Sequence, residues 1–216
     1  MTGTIGLLET TGLTPAMAAI DAMLKSATVR VLQVELNDLY GVCIKIHGAT
    51  AEVQTAIAAG HRMATQMRAA PVSTVLTSVS PAAAPAIDSP VEFSPLIQQN
   101  VVLRATPGHP EPASASELTE NSMNATTPQA LGFIETQGFT AVFEAIDTAC
   151  KAASVEVVAK EKLGGGYVTI VIQGELSAVS SAIATGKAKV EGLGKLIAAH
   201  VIARPSEAVL KLLSRV

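Results

Sequence analysis

Few side chains in this sequence have the type and spacing that catalysis requires. One acid recurs, as Glu9 and Glu135, in an ET-x-G motif. A catalytic pair would need both carboxylates in one cleft. The repeat described below places them instead at equivalent positions of separate domains, where we expect a structural hydrogen-bonding role. No Ser/His/Asp or Cys/His arrangement stands out. The sequence therefore predicts a protein that is not an enzyme.

Neither the histidines, the cysteines nor the glycine-rich run indicates a bound group. The histidines lack metal-ligand spacing; they are His47, His61, His109 and His200. Cys43 falls in a strand pattern and Cys150 in a helix pattern, so we expect both to be small buried hydrophobic residues. The run at 164–166 joins two strands with no helix N-terminus after it, which argues against a phosphate loop. We expect no metal and no cofactor.

A module that occurs twice positions these residues. The stretch at 131–205 begins LGFIETQGF, and a diverged copy begins IGLLETTGL at Ile5. The same 126 positions separate Glu9 from Glu135 and Asp21 from Asp147. We interpret the chain as a first domain at 1–79, a Pro/Ala/Ser-rich connector at 80–129 and a second domain at 130–216.

Each copy alternates between the hydrophobic periods of strands and of helices. The first copy predicts strands at 4–10, 29–36, 42–47 and 72–79, and helices at 16–26 and 51–67. The second predicts strands at 130–136, 155–160, 167–172 and 200–202, and helices at 140–152, 177–191 and 205–213. Thr14 is the expected N-cap of the first helix, and residues 101–103 could add an edge strand. The fold class is α+β: two tandem ferredoxin-like β-α-β-β-α-β domains, with antiparallel sheets and helices on one face.

Composition limits the classes of binding partner and the cell compartment that we expect for this protein. A net charge of −3 without a basic stripe argues against nucleic acid. No apolar run reaches the ~18 residues of a membrane span, and the N-terminus lacks the basic start of a signal peptide. Two cysteines suit a reducing cytosol, so we expect a cytoplasmic protein. Only 3% of residues are aromatic, so a small aliphatic core buries limited area, and association between subunits is expected.

Several short motifs, taken in their order along the chain, resemble those of a known protein family. With GFIETQGF, DTACKAAS, KLGGGYVTIVIQGE and HVIARP, the second half resembles a bacterial microcompartment shell domain throughout. The first half matches through IGLLETTG, DAMLKSATV and the glycine of IHGA. Two such domains in one chain resemble the tandem-domain class, whose trimers mimic the hexamers of the single-domain class. The resemblance implies a homotrimeric six-sided tile that packs edge to edge with other shell proteins and passes small metabolites through a central pore.

The resemblance also implies a pore lined by one hairpin loop from each domain. The residues that it places there are Leu163, Gly164 and Gly165 in the second copy and, by the constant offset, Asn37, Asp38 and Leu39 in the first. Glycines let a backbone approach an axis closely, although a plain hairpin turn would also use them. A threefold set of Asp38 carboxylates would favour cations. Neither loop has a cysteine, a departure from tandem members that hold an iron–sulfur cluster there.

Tile-edge contacts are implied at Lys25, Lys151 and Arg204. The position equivalent to Arg204 is Ser78, so alternate edges are expected to differ.

The sequence assigns no role to the connector, and we expect its residues 94–103 to pack on one tile face. An alternative function also remains open: a small-ligand-binding regulatory sensor, because tandem modules of this topology can bind effectors at interfaces. A repeated glycine hairpin with helix-end lysines favours the shell, and flat sheets formed without ligand would discriminate between the two.

Overall fold

The computed structural model describes residues 3–37, 40–104 and 129–213. The first domain comprises β1 (Thr4–Thr11), α1 (Leu13–Ser26), β2 (Arg30–Leu36), β3 (Gly41–Gly48), α2 (Thr50–Gln66) and β4 (Val72–Leu76). The connector contributes α3 (Ala84–Ile87), β5 (Phe93–Ser94), β6 (Gln99–Asn100) and β7 (Val102–Leu103). The second domain comprises β8 (Ala130–Gln137), α4 (Phe139–Ala152), β9 (Glu156–Gly164), β10 (Tyr167–Gly174), α5 (Leu176–Ala188), β11 (Lys195–Ile202) and α6 (Glu207–Leu212).

Each domain contains an antiparallel sheet whose strand order is the same in both copies. The first sheet has the order β4-β1-β3-β2 with β7 added at its edge, and the second has the order β11-β8-β10-β9. The α+β class and the β-α-β-β-α-β order are confirmed, as is the edge strand, since β7 pairs with β2. The last strand begins at Lys195 rather than residue 200. The predicted helix ran too far, to residue 191, whereas α5 ends at Ala188.

The two sheets differ in how their faces are covered. Side chains alternate across a strand, so Ile134 and Ile170 lie on the face that packs against α4 and α5. Leu131 and Phe133 lie on the opposite face and belong to the same core as Met17 and Ile20 of α1. The first domain, together with α6, therefore covers the sheet face of the second domain that lies opposite α4 and α5.

Helix α1 begins at Leu13 with Gly12 as its N-cap. The prediction that Thr14 caps this helix is wrong, because a side chain from the other domain binds the first-turn N–H groups. These N–H groups have no partner within the helix itself. The first turn is thereby fixed at the contact between the domains.

Candidate functional site

The hairpin loops of the two domains lie against each other. The rings of Tyr40 and Tyr167 stack with centroids 4.1 Å apart. Gly165 has a φ of 52°, and a Cβ there would lie 2.0 Å from Cε1 of Tyr40, so this position requires glycine. Gly164 and Gly165 remain partly or fully exposed, whereas the Leu163 side chain is buried. Leu163 therefore presents only its backbone at this surface.

Asn37 begins the first-domain loop, and its amide is held in place by hydrogen bonds. Its Oδ1 accepts from the Gly41 N–H at 2.8 Å, and its Nδ2 donates to Oε1 of Glu9 at 2.8 Å. Asp38 and Leu39, the other predicted pore residues of this loop, lie outside the described residues. The charge of Asp38 is thus an expectation from the sequence, whereas the stacking of Tyr40 on Tyr167 is observed.

A buried carboxylate joins the domains at the start of α1. Glu135 on β8 is fully buried and accepts hydrogen bonds from the N–H groups of Leu13 and Thr14, each at 2.9 Å. Burial raises the pKa of the Glu135 carboxyl, while the two N–H donors oppose that rise. A second contact joins the Ser206 N–H to Oδ1 of Asp21 at 2.9 Å. Glu135 is therefore a structural residue, as its motif suggested.

The equivalent helix in the second domain, α4, presents the corresponding residues to solvent. Leu13 and Met17 are 2% and 0% exposed, whereas their counterparts Phe139 and Phe143 are 42% and 45% exposed. Ala16 and its counterpart Val142 are both buried, because that side of each helix faces its own sheet. We call the outward side of α4, at Phe139, Phe143 and Asp147, the open helix face.

In the first sheet, the surface equivalent to the one that α1 covers on the second sheet is exposed. Glu9, equivalent to Glu135, is exposed. Val72 is 68% exposed, whereas its counterpart Ala198 is 7% exposed. We call this surface, at Glu9 and Val72, the open sheet face. The constant offset pairs each exposed residue with a buried counterpart, but only the structure shows which member of each pair is exposed.

The predicted tile-edge residues are accessible. Lys25 pairs with Asp21, and Lys151 pairs with Asp147 at 2.5 Å, each one helical turn away. The hydrogen bond to Asp147 raises the pKa of the Lys151 ammonium. Arg204 is also exposed. Lys25 and Lys151 lie in the last turns of α1 and α4, and Arg204 follows the end of β11. None of the three lies in a hairpin loop.

The cysteines are not both buried as expected. Cys43 is partly buried, but Cys150 is exposed on α4, because that position faces outward in a helix whose inner side packs on the sheet. Burial raises the pKa of the Cys43 thiol, and partial desolvation beside Asp147 raises that of the exposed Cys150 thiol; both shifts lower the thiolate fraction. Among the described residues, no group of three His, Cys, Asp or Glu side chains could hold a metal ion. No described helix is long and apolar enough to cross a membrane.

Comparisons with known proteins agree with the duplicated fold. The model of the BMC domain matches residues 4–81 and again 130–205. Over 81 residues, 37% of this chain, it is 48% identical to carboxysome shell protein CsoS1A of Hydrogenovibrio crunogenus, covering 84% of that protein. It is 47% identical over 81 residues to the probable carboxysome shell protein CsoS1E of Prochlorococcus marinus, covering only 40% of that protein. It is 42% identical over 87 residues to shell protein PduA of Citrobacter freundii, covering 94% of it.

A solved structure described as a microcompartment protein from Desulfitobacterium hafniense spans nearly the whole chain. The match covers 97% of this chain and 99% of that one at 25% identity, with a TM-score of 0.36. That score is too low to argue for a shared arrangement of the two domains, so the assignment rests on the two sequence matches, which together span most of the chain. The chain belongs to the BMC domain family, with the domain present twice.

Proposed function

We propose that the chain is a structural subunit of a bacterial microcompartment shell, and that three copies close into a ring of six domains. The relatives named as shell proteins support the shell role. One observation carries the ring: the contact between the domains leaves its two surfaces unpaired, as the open helix face and the open sheet face. A head-to-tail contact of this kind generates rings when its rotation closes.

In this ring, the contact that joins the two domains of one chain recurs between neighbouring chains. Each residue of the contact is then replaced by its counterpart in the other copy of the module. The open helix face of one chain sits on the open sheet face of the next. Glu9 of one chain then accepts from the first-turn N–H groups of α4 in its neighbour, as Glu135 does for α1. Phe139 and Phe143 become buried as Leu13 and Met17 are. Burying aromatic side chains is a strong source of association energy.

The hairpin loops line the central pore of this ring. The exposure of Asn37, Gly164 and Gly165 supports this assignment, and the buried Leu163 contributes only its backbone. Asp38 and Leu39 are assigned to the same loop from the sequence. A ring of Asp38 carboxylates favours cations over anions. Asp38→Ala is expected to leave the trimer mass unchanged and to reduce the preference for cations in a reconstituted shell. Lys25, Lys151 and Arg204 contact neighbouring tiles.

The solution mass tests the ring. Light scattering should give three times the chain mass of 22.1 kDa. Phe143→Asp, which places a charge on the open helix face, should yield a folded monomer, and Val72→Asp should do the same from the opposite surface. Leu176→Asp is the matched control. Leu176 is also 45% exposed, but its counterpart Thr50 is exposed too, so the trimer should persist. A monomeric wild type, or loss of the trimer in the control alone, refutes the ring.

A further inference from the structure

The connector forms a hairpin with an apolar tip. Strands β5 and β6 pair through Phe93–Asn100 and Ser94–Gln99, and the turn is closed by the Gln98 N–H donating to the Ser94 carbonyl at 2.9 Å. Leu96 at this turn is 92% exposed, and Phe93 is also exposed. An exposed leucine on an ordered turn covers no core of its own chain.

Specific hydrogen bonds attach this hairpin to both domains. The Gln99 amide donates to the Lys162 carbonyl at 2.7 Å and accepts from the Lys162 N–H at 3.0 Å. The Leu36 N–H donates to the Val101 carbonyl at 2.8 Å. Lys162 and Leu36 each stand next to one of the two hairpin loops. The connector hairpin is thus fixed to the second-domain loop on one side and to the first-domain loop on the other.

The tip of the hairpin lies beside the loops themselves. A groove of about 310 Å³ is lined by residues from the hairpin and from both loops, including Leu96, Ile97, Asn37 and Gly164. A Cβ at Gly164 would lie 3.9 Å from Cγ2 of Ile97. The loops and the hairpin tip therefore form one continuous surface, and whatever axis the loops surround, the tip lies beside it.

We propose that three copies of this hairpin form an apolar collar at one mouth of the pore, with Leu96 facing the passage. The inference rests on the proposed ring and adds to it a selecting element from outside both BMC domains. An apolar constriction resists hydrated ions because water leaves it readily, whereas small uncharged metabolites lose little on entering. The collar would thus oppose passage of the same cations that a ring of Asp38 carboxylates attracts, and so favour small uncharged solutes.

Cross-linking within the trimer tests the position of the tip. In a Cys43→Ser, Cys150→Ser background, Leu96→Cys is treated with a short bis-maleimide and compared with Leu176→Cys, which is also exposed but lies beyond the end of β10 opposite the glycine loop. We expect covalent dimers from Leu96→Cys in trimers of unchanged mass, with one chain in three left uncoupled, and none from Leu176→Cys. A trimer without Leu96 cross-links overturns the collar and leaves the ring standing. A monomer overturns both.

Permeation tests the role of the collar. Leu96→Asp should raise the flux of a small cation through reconstituted shells severalfold while the trimer mass stays the same. Gln99→Ala, which removes both bonds to Lys162, should raise it too, because the hairpin is no longer fixed at the loops. Val91→Asp is the control, since Val91 is exposed at the base of the hairpin, away from its tip. A cation flux that Leu96→Asp leaves unchanged overturns the selecting role.

Discussion

The equivalent carboxylates Glu135 and Glu9 should respond very differently to the same substitution. Glu135→Ala leaves the N–H groups of Leu13 and Thr14 without the acceptor that each reaches at 2.9 Å. A buried donor left unsatisfied costs about 1–3 kcal/mol. Removing a buried carboxyl recovers part of that cost, because burial already disfavours its charged form. We expect a net loss of about 2–4 kcal/mol in the free energy of unfolding.

Glu9→Ala is the matched control within one chain. Glu9 is exposed and accepts from the Asn37 amide, so its loss should change the stability of a monomer by about 0.5 kcal/mol or less. Both variants are made in the monomeric Phe143→Asp background and unfolded in urea. For a chain of this length, ~3 kcal/mol corresponds to a decrease of roughly 6–12 °C in melting temperature, which provides an independent readout.

In the trimer, unlike in the monomer, the loss of Glu9 is expected to be destabilising. If Glu9 caps α4 of the neighbouring chain, Glu9→Ala in the wild-type background should weaken the trimer by about 2–4 kcal/mol per interface, measured by dissociation on dilution. Equal losses of monomer stability in Glu135→Ala and Glu9→Ala would contradict the buried helix cap. Trimer dissociation that Glu9→Ala leaves unchanged would show that the two interfaces are not equivalent.

Three further predictions concern the loops, the buried acid and the edges. Gly165→Ala should destabilise the fold by about 1–3 kcal/mol in urea unfolding, because the new Cβ collides with Tyr40; an unchanged midpoint would contradict the stacked loops. The pKa of Glu135 is raised above its ordinary value near 4.5, so its stabilising contribution is complete below that pH and is lost as pH rises through the raised pKa. Urea midpoints should accordingly fall less between pH 4.5 and 7 in Glu135→Gln than in wild type, and parallel curves would refute this. Lys25→Ala with Lys151→Ala should preserve the trimer but impair sheets in electron microscopy, and normal sheets would refute the edge assignment.

Most of the secondary structure follows from the sequence because each element occurs twice at a constant offset. A weak pattern in one copy, such as the helix at Leu13–Ser26, is supported by its clearer counterpart at Phe139–Ala152. The contact between the domains does not follow in the same way. Leu13 and Phe139 are both apolar, and the sequence cannot distinguish a residue covered by its own chain from one left for another chain.

Apart from its edge strand, the connector could not be predicted, for a different reason. Its attachment depends on polar groups that look like ordinary surface residues in sequence. Lys45 is buried and donates to Gln33, to Glu35 and to the Ile87 carbonyl, which attaches the connector to the face of the first sheet that also carries Glu9. Gln99 acts similarly at the second domain. Pairings of this kind become visible only in three dimensions, whereas hydrophobic periodicity is visible in the chain.

The divergence of the two copies suits the two kinds of interface they would form. The contact within a chain is made by tethered domains, so Leu13 and Met17 need only fill space. A contact between chains must also overcome the entropy of association. The open helix face carries Phe139 and Phe143 at those same positions, although the whole chain has only four phenylalanines. Larger aromatic side chains bury more apolar area, so the duplication placed the stronger binding residues where no tether assists.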